Sequence, residues 1–373
     1  MEKAKVYFDD FRAPVGTSVL KKLDRLIRKA GMEEMDFQRK LVAVKMHFGE
    51  PGNLTFLRPN YAKVVADLVK ERGGVPFLTD CNTLYAGRRK NALEHLDAAY
   101  ENGFSPMSTG CQIVIGDGLR GTDDVEVPVQ GGEYVQTAKI GKAVMDADVF
   151  ISLTHFKGHE ATGFGGAIKN IGMGCGSRRG KMEQHSGGKP VVKQKRCAGC
   201  RQCIKQCGQD AISYDGGKAF IDQEKGVGCG RCIAVCNFDA IFNPNDCACE
   251  QLNRKMAEYA KAVVDGRPQF HISLVIDVSP YCDCHGDNDM AILPDVGMFA
   301  SFDPVALDQA CVDACLRQQP IPGSLLDDRM HEEGFHDLHD HFRNVTPECE
   351  WESCLAHGEK IGLGSRTYEL IRV

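Results

Sequence analysis

Seven of the eighteen cysteines in this 373-residue chain stand at spacings that suit a metal cluster better than packing. Cys197, Cys200, Cys203 and Cys207 form C-x2-C-x2-C-x3-C, the spacing of a [4Fe–4S] site. Two-residue gaps let three thiolates wrap one face of a cubane, while the fourth cysteine reaches across to a second cluster. A second run, KGVGCGRCIAVC (225–236), supplies Cys229, Cys232 and Cys236, with Gly226 where a further cysteine would stand. Swapped ligation then gives one cluster to Cys197, Cys200, Cys203 and Cys236, and leaves Cys207, Cys229 and Cys232 for the other. The second cluster's fourth iron has three explanations that the residues leave open. A distant cysteine caps it (Cys175, Cys247, Cys249, Cys282 or Cys284); water or substrate ligates it; or the cluster is three-iron or absent. A zinc-only site fits poorly, because zinc wants four ligands in compact C-x2-C pairs.

The second dense patch is THFKGHEATGFGGAIKNIGMGCGSRRGKMEQHSGG (154–188). Gly163, Gly165 and Gly166 allow a ligand close to the backbone. Lys157, Lys169, Arg178, Arg179 and Lys181 surround it with cations suited to a phosphate or carboxylate. His155, His159 and His185 add proton transfer near neutral pH. We therefore assign His159, Lys169 and His185 to catalysis, and Gly163, Gly165, Gly166, Arg178, Arg179 and Lys181 to binding a further cofactor or a small anionic substrate. DVSPYCDCHGDNDM (277–290) reads as a polar loop or pocket wall, and TDCNTLYAGRR (79–89) as a turn able to line the same cleft. MHEEGFHDLHDHF (330–342), with four histidines among acids, reads as a solvated helix face. GDGLRG (116–121) matches a dinucleotide fingerprint by letters only, since strand-like TDDVEVPV follows it where a helix would be required.

These residues need elements to hold them. LVAVKMHF (41–48), VPFLTD (75–80), QIVIGD (112–117), VFISLTHF (149–156) and FHISLVIDV (270–278) are apolar, β-branched runs of strand length. YAKVVADLVKERGG (61–74), NALEHLDAAYENG (91–103) and EQLNRKMAEYAKAVV (250–264) have helical spacing. Asp303 before Pro304 predicts a capped helix start, and Cys311 and Cys315 on that helix read as core. Alternation of this kind predicts an α/β body with a largely parallel sheet. The expected organisation is an α/β lobe over 1–190 with the Gly/His loop, a two-cluster ferredoxin-like module over 191–245, and a portion over 246–373 that completes a two-lobed body.

Charge narrows the partners. Forty-five basic and fifty-one acidic residues give a net charge of −6, with no long basic cluster, so nucleic acid is not an expected partner. MEKAKVYFDDFRAP lacks a signal-peptide core, and no apolar run reaches the roughly 18 residues of a membrane span. The expectation is a cytoplasmic protein of a reducing, anaerobic setting, with no membrane partner.

Four stretches carry a family resemblance: VAVKMHFGEPGNLTFLRP (42–59), FLTDCNTLYAGRRKNALEHL (77–96), the 154–187 loop and DVGMFASFDPVALDQA (295–310). On these the chain is identified as a member of the domain of unknown function 362 family, with a ferredoxin insert; this implies a fold and iron–sulfur content rather than a reaction. The loop is also similar to nickel-pincer lactate racemase. His159, then Gly163-Phe164 and Gly166, then Lys169, then His185-Ser186-Gly187 follow that enzyme's order. The racemase's paired upstream histidines have no counterpart, and it has no ferredoxin module. The similarity implies a site between two lobes, with Lys169 and His185 contacting cofactor or substrate and His159 as acid/base. The expected function is an iron–sulfur oxidoreductase that passes electrons from two [4Fe–4S] clusters, supplied by an electron donor or acceptor protein, to chemistry in this pocket. Its alternatives are a non-catalytic electron carrier that docks a partner, and a racemase-like hydride shuttle.

Overall fold

Seven successive buried residues make up strand Val149–His155, whose apolar run carries no polar face because the sheet is covered on both sides. The computed structural model describes residues 3–84, 87–185, 189–228, 232, 236, 238, 240–242 and 248–373. Tyr85, Ser186, Gly187, Cys229 and Cys247, all named above, lie outside the described residues.

Eight strands form one mixed sheet, in the order Tyr368–Arg372, Ala4–Asp9, Gly297–Ser301, Gln269–Val275, Val149–His155, Leu41–Lys45, Val75–Asp80, Gln112–Ile115. Only Gly297–Ser301 runs against its neighbours; the other pairings are parallel. Side chains alternate between two cores. Val42, Val44, Ile151 and Leu153 pack against helices Val19–Lys29 and Pro59–Glu71 on one face. Ala43 and Phe150 pack with helices Ala167–Cys175, Ala248–Val264 and Pro304–Leu316 on the other. The five expected strands form, three of them ending two or three residues early, and Asp303 caps its helix by accepting the Val305 and Ala306 amides at 2.9 Å. Cys311 and Cys315 are buried in the core. The segment after Gly121 is strand Asp124–Pro128, paired with Thr137–Gly141, so no helix follows GDGLRG there.

Strands Val149–His155 and Gln269–Val275 are neighbours in the sheet, and the cysteine-rich segment lies in the connection between them. Val191 pairs with Phe242 and Val192 with Ile241, which brings the two ends of that segment together. Within it, helix Gln202–Gln206 and hairpin Ile212–Asp215/Lys218–Ile221 share a small core of Cys203, Ile212, Ala219 and Ile241. Among the described residues no helix is long and apolar enough to cross a membrane.

Candidate functional site

Parallel strands end at the same edge, and the connections leaving that edge are free to build a site. Past Lys45, Asp80, His155 and Val275 the chain enters the loops that carry His47, Arg89, His159 and Cys282. After His155 it turns into a tight hairpin, Lys157–His159 against Gly163–Gly165, and then helix Ala167–Cys175. The hairpin puts Lys157 and His159 on one side of a strand, and the helix presents Lys169 one turn later.

His159 is neutral with a defined tautomer. Its Nδ1 accepts the Ala161 and Thr162 amides, both at 3.1 Å, so the ring proton is on Nε2, which faces Glu160 Oε2 at 3.8 Å. Burial, with the charge of Lys169 adding to it, pushes its pKa down to about 4. Glu160 Oε1 lies 3.1 Å from His285 Nε2, which completes a His159–Glu160–His285 row. His185, at the end of helix Arg178–His185, is buried with Nε2 lacking a hydrogen-bond partner among the described residues, and burial beside His159 and Lys169 pushes it to about 3.

Lys169 is half-buried with its Nζ 3.5 Å from Cys282 Sγ. Burial alone would lower its pKa, but Cys282, Cys284 and Glu160 outweigh that and raise it. A hydrogen bond from Cys284 holds the Cys282 thiol well below its ordinary value against burial, with Lys169 and Lys157 assisting. Asp283 between them is fully buried. It meets His155 Nδ1 at 2.8 Å and Lys157 Nζ at 3.3 Å, and these contacts keep it ionised although burial opposes them. The 277–290 loop is thus buried over 278–280 and 282–285, with Cys282 against Lys169, and reaches the surface only towards its end.

The expected catalytic trio of His159, Lys169 and His185 comes together; the expected binding residues divide. Gly165 lies against the stems of Lys157 and Lys169 and gives both room. Gly163 adopts φ +71 beneath the Trp351 ring, and an added Cβ at Gly166 would meet Asp308 Oδ1 at 2.3 Å. The space beside Gly166 is therefore filled by a carboxylate that accepts the Ala167 and Ile168 amides at 2.6 and 2.9 Å, capping the Lys169 helix from another helix. Lys181 Nζ donates to Gly176 O at 2.5 Å at the far end of that helix. Arg178 packs over Gly121, and Arg179 is an exposed partner of Asp124 and Glu126. These contacts tie the three residues to the loop and its neighbours. The pocket is not a bare cationic cleft: Lys45 pairs with Asp80 at 3.0 Å, Arg89 with Glu50 at 2.8 Å, and Lys157 with Asp283.

Glu160, Lys45, His47, Glu50 and Asp80 received no site role from the sequence reading. Arg89 Nη1 lies 2.8 Å from His47 Nε2, while Arg89 Nη2 and both His95 ring nitrogens are buried with no hydrogen-bond partner among the described residues, His95 Nε2 facing Asp80 Oδ2 at 3.8 Å. The available signal was their position: Lys45, His47 and Glu50 close one parallel strand, and Asp80 closes the next. The 330–342 histidines lie mainly in bends and turns; His331, His336 and His339 are exposed there, so the expected helix face does not form.

In the cysteine segment, Cys197, Cys200, Cys203 and Cys236 line one small hollow, and Cys200 is exposed. Backbone amides point at sulfur from Ala219 to Cys197 at 3.5 Å, Ala240 to Cys236 at 3.3 Å and Ala211 to Cys207 at 3.4 Å. Among the described residues no three or more His, Cys, Asp or Glu side chains are arranged to hold a metal ion. Cys175 is buried under the sheet, where Cys81 Sγ reaches its carbonyl, and Cys249 is near Cys349 and Glu350. The segment docks on the 84–90 loop: Lys90 Nζ donates to Gly208 O at 3.3 Å, and Gln209 Nε2 to Leu84 O at 3.0 Å.

Residues 42–313 match the model of the domain of unknown function 362. The chain belongs to the DUF362 family. A thylakoid-associated protein of Synechocystis (sll1697) is 30% identical to this DUF362 chain over 131 residues, 34% of the chain and 35% of that relative. The chain thus matches about a third of that relative's length. Two solved structures share 13% identity with it: the lactate racemase apoprotein of Thermoanaerobacterium thermosaccharolyticum (TM-score 0.37, covering 74% of this chain and 51% of that one), and a Thermotoga maritima protein (TM-score 0.39, covering 80% and 57%).

Proposed function

We propose that this DUF362 chain is an iron–sulfur oxidoreductase in which a two-cluster module feeds electrons to a small anionic substrate bound beside Lys169. The observation that carries the reading is the hollow lined by Cys197, Cys200, Cys203 and Cys236, the set that swapped ligation assigns to one cubane. A cubane spreads its ligands around four corners, which a lined hollow suits. Amide N–H groups aimed at Cys197, Cys207 and Cys236 would stabilise the charged sulfur of a bound cluster. When bound, such clusters supply single electrons. Cys207 and Cys232, with Cys229, would hold the second cluster.

The chain's own groups do the rest. Lys169 offers a half-buried ammonium for a carboxylate or phosphate oxygen. His159 holds a proton on Nε2, and the Glu160–His285 pair gives that proton a route of exchange. His185, neutral with Nε2 lacking a hydrogen-bond partner among the described residues, is poised to accept a hydrogen bond from substrate or to receive a proton. The Gly208–Gln209 corner, directly after Cys207, rests on the loop whose Arg89 reaches His47, so the module abuts the wall of the pocket.

The exposed Cys200 favours a second reading, a carrier that exchanges electrons with a docked protein and has no substrate of its own. One experiment separates the two. Reduced methyl viologen is offered anaerobically to the wild-type and Lys169→Met proteins with a panel of small carboxylates and organic phosphates. Anion-dependent viologen oxidation that disappears in Lys169→Met, with iron content unchanged, is expected. Equal oxidation by both proteins, or none with any anion, contradicts the enzyme and leaves the carrier.

A further inference from the structure

Cys282 and Cys284 belong to a turn closed by the His285 amide, which donates to the Cys282 carbonyl at 3.0 Å. The turn is held from several sides. The Glu50 amide donates to Asp283 O at 2.9 Å, Asn53 Nδ2 to His285 O at 2.9 Å, and Asn288 Nδ2 to Tyr281 O at 2.8 Å. The Asp283 side chain is fixed by His155 and Lys157, as described. Such fixation exceeds what a packed surface loop requires, and its product is the placement of two thiols.

Both thiols are buried, with 3% and 5% of their surface exposed, and their side chains hydrogen-bond to one another. The ammonium of Lys169 lies 3.5 Å from Cys282 Sγ. Cys311 and Cys315 make a useful contrast: they too are buried, one helical turn apart, but they face apolar core, and burial pushes both thiols up. A thiolate paired with a cation and a neighbouring thiol is the arrangement in which sulfur becomes nucleophilic. The first and third Cα atoms of a turn also fall within the roughly 4.4–6.8 Å over which a disulfide closes.

We propose that Cys282 and Cys284 are a redox-active dithiol in the wall of the pocket, interconverting with an intramolecular Cys282–Cys284 disulfide. On oxidation the Cys282 and Cys284 sulfurs join in an S–S bond, the Cys284 proton passes to water, and two electrons leave to a disulfide oxidant such as oxidised dithiothreitol; in cluster-loaded protein they would leave one at a time to oxidised iron–sulfur centres. In reverse, two electrons and one proton reopen the bond. The couple thereby converts single electrons into a pair beside the bound anion. The electron route rests on the function proposed above; the dithiol itself does not.

The test uses the full chain, purified anaerobically and equilibrated in reduced and oxidised dithiothreitol at graded ratios. Samples are quenched in acid, labelled with N-ethylmaleimide and digested. The expected result is a peptide containing Cys282 and Cys284 that passes from two labels to none, two hydrogens lighter, along one two-electron curve, while the Cys311–Cys315 peptide keeps both labels. Two labels at every ratio overturn the proposal. So do labels blocked in reduced protein and restored by a chelator, which make the pair metal ligands. In a second measurement, the rate of Cys282 alkylation is followed against pH, and Lys169→Met should move the profile to higher pH by about one pKa unit; an unmoved profile counts against the ion pair. Iron and sulfide are counted in the same samples. Inert thiols in cluster-loaded protein sink this inference alone, whereas a working couple in cluster-free protein retains it and sinks the cluster reading.

Discussion

At the scale of single residues, buried charges here are tolerable only because they are paired. Asp283 is fully enclosed and bound to His155 and Lys157, and removal of one partner from such a set leaves an uncompensated charge. Asp283→Asn should therefore lower stability by about 3–5 kcal/mol, read as a shift in the urea midpoint, and an unchanged midpoint would remove the network from the account. The same pairing explains what the sequence displayed and what it hid. His159, Lys169 and His185 were legible from their types and spacing around glycines. Glu160 was not, because an acidic residue in a loop usually faces water; only the fold shows it enclosed between His159 and His285. Arg179 looked like a ligand contact for the converse reason: its pairing with Asp124 depends on a hairpin that no local spacing reveals.

At the scale of elements, the helix that carries Lys169 starts without a cap of its own. Gly166 offers no side chain, and Asp308 takes that place from helix Pro304–Leu316. Asp308→Ala leaves two buried amides unsatisfied, at about 1–3 kcal/mol each; Asp303 caps its own helix and also accepts the Ser365 amide at 2.8 Å. Asp308→Ala should thus lower stability clearly in urea denaturation; an unchanged midpoint would deny the cap from the neighbouring helix its importance. Gly166→Ala forces a Cβ into the same carboxylate and should likewise weaken the protein by about 1–3 kcal/mol through overpacking. Five of the sheet's eight strands were legible, their starts within one residue, because buried apolar runs are a local signal; three ended early, where the apolar run continues into the site loops. The Asp303 cap was equally plain, since both its halves are adjacent in sequence. The Asp308–Gly166 contact spans 142 positions, and no local pattern announces it.

At the scale of the whole molecule, several histidines are buried as neutral rings. Burial holds His159 near 4, and His95, His185 and His271 near 3, below the value near 6.5 they take in an unfolded chain. Between those limits the unfolded chain binds protons that the folded one refuses. The stability they contribute is complete above about pH 6.5 and is lost as pH falls, at up to ~1.4 kcal/mol per unit for each ring. Asp308, raised by burial to about 7, titrates in the opposite sense and offsets one of them. Urea midpoints followed by the fluorescence of Trp351, the chain's one tryptophan, should fall steadily from pH 7 to pH 5; a flat profile would mean that these rings are hydrated.

The central claim, that this cysteine segment holds cubane clusters beside the Lys169 pocket, is tested most directly by counting iron, acid-labile sulfide and zinc in anaerobically purified wild-type and Cys236→Ser proteins. The account predicts about eight irons with matching sulfide in the wild type, four per cubane, and loss of about half of both in Cys236→Ser. Zinc without sulfide, or a Cys236→Ser protein that keeps its full iron, would contradict it.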